Sequence, residues 1–384
     1  MKLSPGIRHL GRILQNIPGW RTKRKIVVIE SDDWGSIRTP SREVFESLVS
    51  RGYNIYLNRY NQYDALESNE DLEILFNTLL NVNDSLGNHP IITGNNITCN
   101  PDFERIRESD YKEYFYEPFP STFKRYSNHD RAFLLMKNGI QDGVFKPQFH
   151  GRDHVNVASW LSALQKENKN VHLAFSEKMI SFEDYSGAGP KMQYLDALHY
   201  TTETEKDYVK NSLIEGIHIF KKIWGFEPIS HIAPSYTWNP EIEDTLFNEG
   251  VRFMQGIYIQ YVPSSTNREL VTKKYHYLGQ KSKSGQSFLV RNAMFEPSSG
   301  KYADPVGSCL RDIATAFKWM KPAIICSHRV NYIGSINVNN RTKNINLLKR
   351  LLTEIVKKWP DVEFMSSDQL GILLKSSTAH EHLR

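Results

Sequence analysis

Cysteine is scarce in this chain, with three in 384 residues, at Cys99, Cys309 and Cys326. An odd, scattered set of that size supplies neither a disulfide framework nor a thiolate zinc cage, and it fits a reducing compartment. No window approaches the ~20 consecutive apolar residues that cross a bilayer. The opening MKLSPGIRHLGRILQNIPGW is interrupted by Arg8, His9 and Arg12, so it lacks the apolar region of a secretory signal, and the expected location is the cytoplasm. Also missing are a GxGxxG dinucleotide turn, a GxxxxGK[ST] phosphate loop and a GxSxG nucleophile elbow, the commonest nucleotide and serine-hydrolase signatures.

Acid is absent from residues 1–25, which hold seven lysines or arginines, and the rest of the chain is close to neutral although the net charge is +5. A body without basic excess argues against nucleic acid as a partner, because that binding neutralises phosphates over a broad footprint. Within the leader, Ile7, Leu10, Leu14 and Ile17 share one helical face. Such a helix either packs on the main domain with its arginines solvated, or lies on anionic lipid and gives peripheral contact with the inner membrane face.

What remains is globular: 40% hydrophobic, 24% charged and 12% aromatic residues. No repeat or linker divides residues 26–375, which read as one domain. Ile26–Ile29 is a strand buried on both faces, and further strands are expected at 89–94, 144–149, 171–176, 229–233, 251–254, around 286–295, at 323–327 and at 362–365. Helical spacing covers 41–51, 68–82, 157–165, 205–224, 240–248, 306–320 and 343–358. The alternation implies a mostly parallel α/β sheet or barrel. An aromatic-rich stretch around 100–130 has no clean period and reads as an insertion, its rings either stacking on sugars or anchoring a loop.

Four polar groups close apolar strands, where α/β barrels build their sites. Asp32-Asp33 follows the first strand; adjacent acids point apart, so one can hold a metal while the other acts as a base. His150-Gly151-Arg152-Asp153-His154 places two imidazoles four residues apart, which on one face of a helical turn can share a cation. Ala233-Pro234-Ser235-Tyr236 precedes a helix beginning at Pro240 and can aim a backbone N–H at developing negative charge. Ile324-Ile325-Cys326-Ser327-His328 ends in a histidine suited to protonating a leaving group.

In this order the four groups resemble the motifs of the polysaccharide deacetylase family with the NodB-like fold, over residues 26–370. The resemblance implies a distorted (β/α)7-type barrel related to the TIM barrel. It implies Asp33, His150 and His154 as ligands of one divalent metal, with zinc the expected ion, Asp32 as general base, His328 as general acid and the Tyr236 N–H as oxyanion donor. The implied activity is hydrolysis of an N-acyl group, N-acetyl above all, on an amino sugar of a saccharide or its precursor. The chain departs from the pattern at the third motif, where the family's arginine is replaced by His231-Ile232-Ala233. Arg152 and Arg329 are candidates to substitute in space, and Asp304 is a candidate for the carboxylate that tunes the catalytic histidine. The missing arginine keeps a catalytically weakened carbohydrate- or metal-binding relative open, and a hydrolase of C–N bonds in small amides is the other alternative.

Overall fold

Nine apolar strands pair side by side in one sheet, and every pairing in it is parallel. The computed structural model describes residues 5–182, 194–268 and 270–381, with side chains described only between 10 and 377 of these. The strands are β1 (Lys25–Trp34), β2 (Ile92–Asn96), β3 (Phe145–Phe149), β4 (Ser230–Ile232), β5 (Phe253–Gly256), β6 (Ser287–Val290), β7 (Ala293–Met294), β8 (Ala323–His328) and β9 (Val362–Met365). Their order is β6-β5-β4-β3-β2-β1-β8-β7, and β9 pairs with the first half of β1. The two edge strands, β6 and β7, are separated in sequence only by Arg291 and Asn292. Three residue steps span about 10 Å at most. The sheet must therefore curl until its edges nearly meet, which makes an α/β barrel open along one seam, the distorted form expected.

Strand β1 is apolar without alternation because both of its faces are covered. Val27 and Ile29 join the main core, and Ile26 and Val28 join a second cluster with Leu289, Ile324, Leu370 and Leu374. Helices fill the crossovers, as parallel strands require. The long helix Glu203–Trp224 starts on a Thr202 cap and stops at Gly225, whose φ of 79° suits a residue without Cβ. Among the described residues no helix is long and apolar enough to cross a membrane.

Two expectations change. Residues 171–176 are not a strand: Lys169–Ser176 is a helix, because Asn168 caps it by accepting from the N–H groups of Asn170 and Val171. The aromatic stretch is not an open platform either. Phe103, Phe119 and Phe123 are buried in the cores, and Tyr111, Tyr114 and Phe115 pack against Trp160 and its neighbours, so these rings anchor the segment.

Arg329 is spent on the fold. Its guanidinium, fully buried, binds both oxygens of Asp64 at 3.0 and 3.1 Å and Glu67 at 2.7 Å, two carboxylates that are themselves fully buried. Removing the cation strands two buried acids, so Arg329→Met is expected to lower stability by about 3–5 kcal/mol at neutral pH. Urea unfolding measures this; a loss under about 1 kcal/mol would contradict the ion cluster's role.

Candidate active site

The curled sheet gathers the C-terminal ends of its strands at one mouth, as barrels do. There a cleft of about 450 Å³ is lined by Asp32, Asp33, His150, His154, Tyr236 and His328, together with Arg38, Arg59, Tyr60, Tyr261 and Glu296. A larger groove of about 740 Å³, beside Arg24, His89 and Glu363, contains none of these groups.

The two aspartates separate as their position in a strand demands. Glu30 and Asp32 lie on the same side of β1, which continues through Trp34 where the apolar run had suggested an earlier end. Both meet Arg291, which leaves the end of β6: Nε binds Glu30 at 2.6 Å, and Nη1 and Nη2 clamp the two oxygens of Asp32 at 2.7 and 2.6 Å. Asn95 donates a further bond to Asp32 at 2.7 Å. Burial alone would raise the Asp32 carboxyl, but the guanidinium prevails and holds it at about 2. Asp33 takes a left-handed φ of 76°, a strained conformation for a non-glycine residue, which turns its carboxylate away from Arg291 and toward the histidines.

His150 and His154 lie in an irregular loop after β3 and not on a helical turn, yet their rings are 5.2 Å apart. His150 Nδ1 donates to the Ile232 carbonyl at 2.9 Å, which fixes the tautomer and leaves the Nε2 lone pair free. That Nε2 is buried without a hydrogen-bond partner and stands 3.4 Å from Asp33 Oδ1; His154 Nε2 stands 3.5 Å from the same oxygen. Ligands about 2.0–2.1 Å from a tetrahedral zinc lie about 3.3 Å from each other, so this spacing fits a small divalent cation with one coordination position open. Burial and the nearby Arg38 push His154 down to about 3, so the ring is neutral, as a metal ligand must be. Asp33 would be raised by burial, but Arg38 and the histidines hold it well below the usual carboxylate range. These three residues could hold a metal. A second close group, Glu296, Cys326 and His328, fits poorly, because burial pushes the Cys326 thiol up to about 11 and keeps it protonated.

His328 closes β8 opposite Asp32, in register with it, and its Nε2 is 3.5 Å from Asp32 Oδ2. Its Nδ1 bonds Glu296 Oε1 at 2.5 Å. Burial would depress the imidazole, but Glu296 outweighs it and raises the pKa, favouring the protonated ring. Glu296 is fixed in turn by Arg59 at 2.7 Å and Asn331 at 2.9 Å. Tyr236 borders the cleft, with its hydroxyl accepting from Arg291 at 3.1 Å. Its N–H donates to the Ala233 carbonyl at 3.1 Å inside a tight turn, so an oxyanion there would compete with an existing bond.

The structure thus brings together Asp32, Asp33, His150, His154, Tyr236 and His328, and it replaces the supporting residues expected from sequence. Arg152 is bound to Asp153, Glu215 and Tyr208, and Arg329 to Asp64 and Glu67; neither touches Asp32. Asp304 caps helix Pro305–Lys318. Arg291 and Glu296 hold the positions sought for those three. The signal for both was a charged residue directly after an apolar strand, Leu289-Val290 before Arg291 and Ala293-Met294-Phe295 before Glu296.

No family model and no curated protein matches the chain. Among solved structures it is similar to the 4-alpha-glucanotransferase of Thermococcus litoralis, with 8% identity and a TM-score of 0.46 over 90% of this chain; the chain spans 40% of that protein's length. It is also similar to a Mycobacterium smegmatis protein assigned as a polysaccharide deacetylase, with 11% identity and a TM-score of 0.42 over 94% of both chains. The Puue allantoinase is similar at 11% identity and a TM-score of 0.42, over 92% of this chain and 91% of that one. Likenesses this distant carry no functional argument.

Proposed function

We propose that the protein is a metal-dependent hydrolase that removes an N-acyl group, N-acetyl above all, from an amino sugar in a saccharide or its precursor. The observation that carries this reading is the convergence in one cleft of three sets: Asp32 clamped by Arg291, Asp33 with the two free imidazole edges, and His328 bonded to Glu296.

A divalent cation held by Asp33, His150 and His154 would polarise the acyl oxygen and acidify the attacking water. Asp32, held ionised by Arg291, receives the water's proton. Its low proton affinity suits it to an acidified water and not to a free one. The imidazolium of His328 then gives its Nε2 proton to the departing nitrogen as the C–N bond breaks, so amide plus water becomes carboxylate plus amine. Tyr60, Tyr236 and Tyr261 line the cleft, whose volume is typical of small-molecule sites. The reading of a weakened relative drew on a missing arginine, and Arg291 supplies that contact by another route.

Acetate release from N-acetylated saccharides by the zinc-supplied protein is the test. No release across oligosaccharides and amino-sugar conjugates sinks the proposal, whereas turnover of small amides alone transfers it to the other C–N hydrolase reading. His150→Ala and His154→Ala are each expected to lose stoichiometric zinc by metal analysis while keeping the far-UV spectrum; retained zinc would remove Asp33, His150 and His154 as ligands.

A further inference from the structure

The N-terminal helix Pro5–Asn16 is docked the wrong way round for a soluble helix. In an amphipathic surface helix the apolar stripe faces the core and the polar side faces water. Here the polar side is the docked one. Arg12 forms an ion pair with the buried Asp312 and donates to Ser308 at 3.0 Å. Gln15 donates to the Asn292 carbonyl at 3.0 Å, and Asn16 accepts from the Asn292 side chain at 2.8 Å. Leu10 and Leu14, on the opposite side, are each 55% exposed, and Ile17 is 42% exposed. The segment that follows runs beside Met320, itself 43% exposed, through the bond from the Thr22 N–H to the Met320 carbonyl. Aliphatic side chains held outward by specific polar bonds on the other face form a ridge that the fold presents and does not hide.

Charge decides among its occupants. Residues 1–25 carry no acid. Arg12, Arg24 and Lys25 are used in ion pairs with Asp312, Glu363 and Asp361. Arg21 and Lys23 remain exposed with no carboxylate partner among the described residues, and Arg311 and Lys318 are exposed on the adjoining helix. Arg21 donates to the Ile17 and Trp319 carbonyls at 2.9 and 3.3 Å, which hold it beside the ridge without neutralising it. An apolar ridge beside cations that no carboxylate balances complements an anionic lipid surface: the aliphatic side chains enter the acyl boundary while the cations meet headgroup phosphates. We infer that this ridge docks the protein on anionic bilayers. The inference stands apart from the active-site reading, because nothing in it depends on turnover.

Co-sedimentation of the full-length protein with phosphatidylglycerol vesicles tests it, with phosphatidylcholine vesicles as the control. The wild type is expected to bind the anionic vesicles and to detach as salt rises. Leu10→Ser/Leu14→Ser should weaken binding by about tenfold or more, since two aliphatic side chains no longer leave water. Arg21→Gln/Lys23→Gln should weaken it by about tenfold at low salt and little at high salt. Both pairs are surface changes remote from the cleft, and unchanged unfolding midpoints confirm that the fold survives. Absence of wild-type sedimentation overturns the inference, as does equal sedimentation of the Leu10→Ser/Leu14→Ser variant. A variant whose only effect is to dissociate a dimer in gel filtration assigns the ridge to a second copy and likewise overturns it.

Discussion

Arg291→Met is expected to lower kcat by about 10²–10⁴, the range spanned by a positioned acid or base. The guanidinium does three things that methionine cannot: it orients Asp32 by two bonds, keeps it ionised, and balances the fully buried Glu30. Once it is gone, the largest influence opposing the burial that favours the protonated acid is lost, and the weaker effects of His328, His150 and the Asn95 bond remain. The Asp32 pKa then rises from about 2, and the acidic limb of the rate profile moves to higher pH. In the wild type the pair contributes stability above the unfolded carboxylate pKa of ~3.9 and loses it as pH falls through about 2. The variant is expected to be less stable by about 3–5 kcal/mol at neutral pH, where two buried acids have lost their cation. Arg291→Lys separates charge from geometry: it restores the positive charge but not the fork, so it should recover stability more than rate. Acetate release against pH, with urea unfolding alongside, reads all of these. Turnover of Arg291→Met within about threefold of wild type, with an unmoved acidic limb, removes Asp32 as the base that Arg291 serves.

Why Arg291 escaped the sequence, while Asp32, Asp33, His150, His154 and His328 did not, has a topological answer. Each of those residues follows an apolar run long enough to read as a strand, so its place at a strand end is visible in one dimension. Arg291 sits between two strands of four and two residues, inside a stretch that reads as a single extended segment. The relevance of that stretch emerges only when the sheet curls and brings the β6–β7 link to the seam beside β8, next but one to β1. The family's arginine has its usual place in sequence near Pro234, but an ion pair requires only that the guanidinium arrive in space. The N-terminal helix shows a similar limit. Periodicity identifies the apolar face of Leu10, Leu14 and Ile17, but the side that docks depends on Asp312, Ser308 and Asn292, residues some three hundred positions away. Local chemistry was legible where it needed no partner, as in the apolar β1, and was misread at 171–176, where the Asn168 cap outweighs the mostly apolar stretch Val171-His172-Leu173-Ala174-Phe175.

In the proposed mechanism the alkaline side of the rate profile belongs to His328. His328→Gln should keep the metal and lose about 10²–10⁴ in kcat, because the departing amine then leaves without a proton donor. Glu296→Gln is the sharper probe. Burial depresses the His328 pKa, and Glu296, with smaller help from Asp32 and Asp33, raises it past the ordinary value; glutamine removes the largest of the raising influences, so the imidazolium becomes a stronger acid. A general acid works only while it holds its proton, so the alkaline limb must move to lower pH. The variant should approach wild-type rate at mildly acid pH and fall behind progressively above it. A purely structural defect behaves differently: loosening the Arg59 and Asn331 contacts to Glu296 would scale kcat down by one factor at every pH and leave the limb in place. The limb shift therefore distinguishes a carboxylate that tunes the imidazole from one that only props it, and a uniform loss would return the raised pKa of His328 to a structural consequence of packing.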